Sequence, residues 1–199
     1  RVAATTLAEA IHLAEELGDP RAIAYARGTL GHLYELTSQG DDAKTLTLQA
    51  LAISESINAS DIAYQWYWQL GRLLKVQAEA QAIREQHDPP DYGEAISAYT
   101  SALQHLQTLR QDLLIVSSDV QYSFRDSVEP VYREAVDLLL RPTEDHALAQ
   151  TQRSKARELI ESLQLAEIDN FLREGCVEGR FFLLDQIVEQ DYPQAAVIY

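Results

Sequence analysis

A chain of 199 residues, 46% of them hydrophobic, carries enough apolar material for a sizeable core, which argues against a disordered tail. Its net charge of −15, from 31 acidic against 16 basic side chains, sets it against nucleic acid and anionic membranes and suits a basic partner. The single cysteine, Cys176, allows no internal disulfide and points to the cytoplasm, and no apolar run reaches the ~18 residues that a membrane span needs.

Most prolines and glycines fall between segments of helical periodicity, so the expected fold is all-α. Early in the chain, Ala3, Leu7 and Ala10 recur at a constant offset of 40 as Ala43, Thr47 and Ala50. Leu30-Gly31 recurs in the same register as Leu70-Gly71, and LGDPRAIAY as INASDIAYQ. One helix of each copy carries Leu-Gly and then a large residue three later: Leu30, Gly31, Tyr34, and again Tyr67, Leu70, Gly71, Leu74. The other carries Ala, an aromatic four later and Ala three after that, as in Ala95, Tyr99, Ala102; in the first copy Thr47 departs from this pattern. The spacing resembles the tetratricopeptide (TPR) repeat, which implies a TPR-like α-α superhelix of antiparallel helix pairs over residues 1–115. Glycine and alanine at these positions let backbones approach, and neighbouring pairs must stack to bury their apolar faces.

Gly31 and Ala43 are 12 apart in the chain, but Gly71 and Ala95 are 24 apart, which predicts an elongated helix near 64–86, stopped by Pro89-Pro90. A functional loop is the alternative there. The next helix is expected to continue to about Ile115, followed by a short one around YSFRD, capped from Ser117, Ser118 or Asp119. Ser127 before Glu129-Pro130 reads as the cap of a helix reaching Leu140; Pro142 stops it, and Thr143 is expected to cap a last helix running to about Arg173. Ala135 and Ala147 are again 12 apart, so the helical connector 116–175 is read as a possible degenerate TPR pair, with 176–199 as linker and the start of a truncated downstream domain. A start at Arg1 and the lack of Met suggest an internal fragment of a longer protein.

The strings DVQYSFRDSVEPVYREAVDLLL and ARELIESLQLAEIDNFLRE resemble the helical region just before the CHAT domain, a caspase-like cysteine peptidase domain, of bacterial TPR–CHAT proteins. The closing DYPQAAVIY is similar to the entry into that domain, with Ala195–Tyr199 as a first, extended strand. The resemblance runs from about Ser54 onward and is most specific between Asp119 and Glu174. The family's catalytic His and Cys lie beyond such a strand, so it transfers no catalytic residue. It implies a regulatory or partner-binding arm, with the chain's own downstream CHAT domain as one partner.

The candidate binding site is a stripe at spacings of three and four on the first helices, which line the concave groove in TPR arrays. It comprises Tyr25, His32, Glu35 and Leu36 in one copy, and Gln65, Trp68, Arg72, Lys75 and Val76 in the next. Trp68, Arg72 and Lys75 would grip a protein or peptide partner by stacking and charge-assisted bonds. The opposing reading puts Trp66, Tyr67 and Trp68 in the core and leaves the basic pair solvated. Three successive aromatics on one helix point different ways, so at least one should lie outside the core. Peptide-clamping TPR grooves favour Asn at such positions; its absence here speaks against carboxylate-terminus clamping. Cys176 has no histidine nearby in sequence, His12, His32, His87, His105 and His146 being scattered, and neither metal-ligand spacings nor phosphate loops occur. The expectation is a non-catalytic interaction scaffold: not an enzyme, no cofactor, no metal, no nucleic acid, no membrane, with a homodimer possible. A TPR-like sensor for a peptide or small ligand is the second reading, and an independent hydrolase, for which no constellation exists, the third.

Overall fold

The computed structural model of the protein describes residues 2–86, 89–113, 128–143 and 145–172. Among these it is all-helical: α1 (Val2–Leu17), α2 (Pro20–Leu36), α3 (Gly40–Ser56), α4 (Ser60–Glu85), α5 (Gly93–Leu113), α6 (Glu129–Leu139) and α7 (His146–Leu172). Helix α2 pairs with α3 and α4 with α5; α1 packs on α2, α3 on α4, α5 on α6, and α6 on α7. The predicted cap residues Ser117 to Ser127, Cys176 and the strand Ala195–Tyr199 lie outside the described residues.

The first three turns share one geometry. Gly18, Ser38 and Asn58, spaced 20 apart, all adopt left-handed φ, at 64°, 60° and 53°. At each turn that residue's N–H bonds the carbonyl three back, and the next residue's N–H bonds the carbonyl five back, as in Asp19 to Ala14, Gln39 to Tyr34 and Ala59 to Ser54. This is the Schellman closure, which satisfies carbonyls left open at a helix end. Each copy of the repeat is therefore two similar half-copies, and the identical turns set successive helices antiparallel. A left-handed conformation strains any residue with a Cβ. Ser38→Gly is expected to stabilise the protein by roughly 0.5–1 kcal/mol in urea unfolding, and Gly18→Ala to destabilise it by about as much.

Close approach of backbones holds the pairs. A Cβ on Gly31 would lie 2.9 Å from Gln69 Nε2 and 3.1 Å from both Ala43 O and Thr47 Oγ1. A Cβ on Gly71 would lie 2.7 Å from the Tyr99 ring. The two Leu-Gly positions thus seat against the second helices of their own pairs. Thr47, the departure from the repeat, is fully buried: its hydroxyl donates to Ala43 O at 2.6 Å and accepts from Gln69 Nε2 at 2.6 Å. Gln69 also donates to Gly28 O at 3.2 Å. A buried amide needs such partners, so Thr47 replaces an apolar contact with the acceptor that lets Gln69 bridge α2, α3 and α4.

Trp66, Tyr67 and Trp68 fan out to three different helices. Trp66 is buried, a Cβ on Gly28 of α2 would lie 2.2 Å from it, and Tyr25 meets its ring edge-on at 5.8 Å. Tyr67 stacks on His105 of α5 at 5.4 Å. Trp68 is half-buried and reaches α6. Each residue turns about 100° from the last, so consecutive aromatics join one helix to three neighbours.

Some boundaries differ from expectation. The elongated helix is confirmed but begins at Ser60 rather than Tyr64, and closes at Gln86 in a left-handed cap with φ 53°. Asp145, not Thr143, opens α7: its Oδ1 accepts from Ala147 N at 2.8 Å and Leu148 N at 3.2 Å. Ala147 is exposed in the first turn of α7 while Ala156 is buried, so α6 and α7 pack together without the register expected from Ala135 and Ala147.

Candidate interaction face

Helices α2, α4 and α6 are joined side by side by a polar ladder. Arg21 of α2 pairs with Asp61 of α4. One residue before the end of α2, Glu35 receives Arg72 of α4 in a two-point grip, Nε to Oε1 at 2.7 Å and an Nη to Oε2 at 2.8 Å. His32 Nδ1 lies 2.9 Å from the same Oε2. The Arg72 guanidinium stands 4.7 Å over the Trp68 ring, a cation–π contact. On the other side, Trp68 Nε1 and Tyr99 Oη both donate to Glu134 Oε2 of α6, each at 2.7 Å. Lys75 lies 3.8 Å from Asp137 of α6, which also receives Arg141 at 3.0 Å.

The repeat explains this wiring. His32 and Arg72 occupy one repeat position, Glu35 and Lys75 another, each pair separated by the repeat offset of 40. Opposite charges at the two positions let Glu35 of one copy face Arg72 of the next. Burial alone would push the Glu35 carboxyl up; the bonds and charge of Arg72, with His32, outweigh it and hold Glu35 below its usual range. Burial likewise works against the Arg72 cation, and Glu35 more than reverses it. The Tyr99 hydroxyl is pushed far up, first by burial and then by its bond to the Glu134 carboxylate.

The stripe read from the sequence therefore divides in two. Glu35, Trp68, Arg72 and Lys75 bond within the chain, and half-buried Gln65 donates to Asp61 O at 3.0 Å. The basic pair faces carboxylates of the chain itself, Arg72 at Glu35 and Lys75 at Asp137. Tyr25, His32, Leu36 and Val76 remain exposed, Leu36 by 69% and Val76 by 63%. Leu140, three residues past Asp137, is 56% exposed. Glu134 was not singled out from the sequence, because α6 follows no recognisable repeat register that would place it beside Trp68.

The extension of α4 stands over the start of α5 and leaves a cavity of about 300 Å3, lined by Gln77, Gln81, Glu85, Asp91 and Glu94 with Leu74 and three alanines. Among the described residues no helix is long and apolar enough to cross a membrane, and no three His, Cys, Asp or Glu side chains are grouped to hold a metal.

The chain matches no protein-family model and no curated protein sequence. Its architecture defines an all-α protein of stacked helix pairs, a helical-repeat fold.

Proposed function

We propose that the chain is a non-catalytic protein-interaction scaffold, a TPR-like arm of a CHAT-type peptidase working in the cytoplasm. The observation that carries the scaffold reading is the exposed apolar row on the first helices. Leu36 and Val76 occupy the same repeat position, and both stay open beside a ladder whose charges are already paired. Scattered apolar residues on a surface mean little, but the same position left open in successive copies makes a periodic surface. Packed helices lie about 8–10 Å apart, roughly one three-residue turn of a polyproline II chain, which puts every third side chain on one face. The row suits a peptide with an apolar side chain at every third position, and the net charge of −15 favours basic residues between them. The link to a peptidase is supported by the resemblance of DVQYSFRDSVEPVYREAVDLLL and ARELIESLQLAEIDNFLRE alone.

Selection of a displayed random-peptide library on the chain tests the row. Enriched peptides should carry apolar residues three apart and bind the Leu36→Glu/Val76→Glu variant at least about tenfold more weakly, as loss of two buried apolar contacts implies. Equal binding to both proteins would remove the row from the reading. The cavity under α4, lined by three carboxylates and two amides, is not the closed apolar pocket that a ligand sensor needs.

A further inference from the structure

The donors that would grip a ligand on the interaction face are turned onto the chain itself. Trp68 Nε1 donates to Glu134 at 2.7 Å, and Arg72 donates to both oxygens of Glu35 at 2.7 and 2.8 Å. Lys75 lies 3.8 Å from Asp137, and Gln65 Nε2 donates to Asp61 O at 3.0 Å. The backbone of α2, α4 and α6 is closed as well, since a helix bonds its own N–H and C=O groups along its length. A ligand on this face therefore finds neither a strand edge to pair with nor these donors for its carbonyls. Its backbone must be satisfied by itself, as in an α-helix, or by water, as in polyproline II. What the face does offer is apolar: Leu36, Val76 and, on the α6 side, Leu140, exposed by 69%, 63% and 56%.

The step between these residues selects between the two. Packed helices lie about 8–10 Å apart. An α-helix returns to one face about every 5.4 Å, so one turn falls short of that step and two turns overshoot it. Polyproline II returns to one face every three residues, after about 9 Å, which matches it. Proline stabilises that form: its φ is fixed at about −65°, so less freedom is lost on binding, and it has no N–H to satisfy. Charge sets the flanks. Arg72 and Lys75 are closed by Glu35 and Asp137, and the chain carries −15 overall, so basic side chains are attracted and not repelled. No segment of the 199 residues has this pattern: the adjacent prolines, Pro89 and Pro90, stand between Asp88 and Asp91. A second copy therefore offers no ligand of this kind. We infer that the row of Leu36, Val76 and Leu140 docks a proline-rich, basic segment of a partner protein, held in polyproline II with an apolar side chain at every third residue. This rests on the row being a peptide-binding surface, and it names the class of peptide.

The probes are three labelled nonapeptides, each built of one unit repeated: Leu-Pro-Arg, Leu-Gly-Arg or Leu-Pro-Glu. Fluorescence anisotropy is expected to show saturable binding of the Leu-Pro-Arg peptide. Leu-Gly-Arg keeps the apolar and basic side chains without the stiffness, and should bind about tenfold more weakly. Leu-Pro-Glu should also bind about tenfold more weakly, with the gap shrinking in high salt. Leu36→Glu/Val76→Glu should weaken the Leu-Pro-Arg peptide about tenfold. Both residues are exposed, so the variant should melt with the wild type, which separates lost binding from lost folding. If Leu-Gly-Arg binds as tightly as Leu-Pro-Arg and both lose affinity in the variant, polyproline II is overturned while the row stands. If no peptide binds, or the variant binds Leu-Pro-Arg as the wild type does, the ligand class is overturned and the library selection decides the row by itself. A dimer, seen by sedimentation, that Leu36→Glu/Val76→Glu dissolves also overturns it, because a second copy would then be the occupant.

Discussion

Gly28→Ala is expected to cost about 2–3 kcal/mol in urea unfolding, the largest loss from a methyl group added at any described glycine. A Cβ on Gly28 would lie 2.2 Å from Trp66 Cε2 and 2.4 Å from Cδ2 and Cζ2. The indole cannot easily retreat: Trp66 is 5% exposed and Tyr25 stands edge-on to it at 5.8 Å. Helix propensity works the other way, since alanine gains about 1 kcal/mol over glycine inside a helix. A net loss therefore means that overpacking outweighs propensity. Gly40→Ala is the control, because a Cβ there meets nothing within 4 Å, and it should be neutral or slightly stabilising. Adding Trp66→Leu should return much of the loss, giving a coupling energy of about 1–2 kcal/mol in the double-mutant cycle. A Gly28→Ala loss below about 0.5 kcal/mol would show that the Gly28–Trp66 contact is looser than drawn.

These contacts mark where the sequence could be read and where it could not. Gly31 and Gly71 were legible because their spacing to Ala43 and Tyr99 repeats, and a close backbone contact leaves a small residue in each copy. Gly28 was silent: its counterpart in the next copy is Trp68, which faces another helix. The length of α4 was legible from the doubled interval between Gly71 and Ala95. The role of Thr47 was not, since a hydroxyl that breaks a pattern does not announce that Gln69, 22 residues later, needs an acceptor. The stripe from Tyr25 to Val76 was legible as a face, because position on a helix follows from spacing alone. Which members bond internally was hidden, because it depends on pairs such as Glu35 with Arg72 and Trp68 with Glu134, 37 and 66 residues apart. Among the described residues α6 and α7 lose the register altogether, as the exposed Ala147 shows.

Glu35→Leu is expected to cost about 2–4 kcal/mol, because it leaves the Arg72 guanidinium, three-quarters buried, without its two-point partner. The figure lies at the lower edge of that for a fully buried pair, since the Arg72 side chain keeps 25% of its exposure and Glu35 17%. Glu35→Leu/Arg72→Met removes both charges and should recover most of the loss, for the cost lies in the stranded cation more than in the missing bond. Acid provides the same test without mutation. The folded-state carboxyl of Glu35 sits below its ordinary value, so the stabilisation it contributes is present above the unfolded value of roughly 4.3 and is lost as pH falls through the folded one. Between pH 5 and pH 3 the wild type should therefore lose more stability than the double variant, with the two curves converging at the acid end. Parallel curves would mean that the carboxyl carries no depressed value and that Arg72 contributes only through its packing on Trp68.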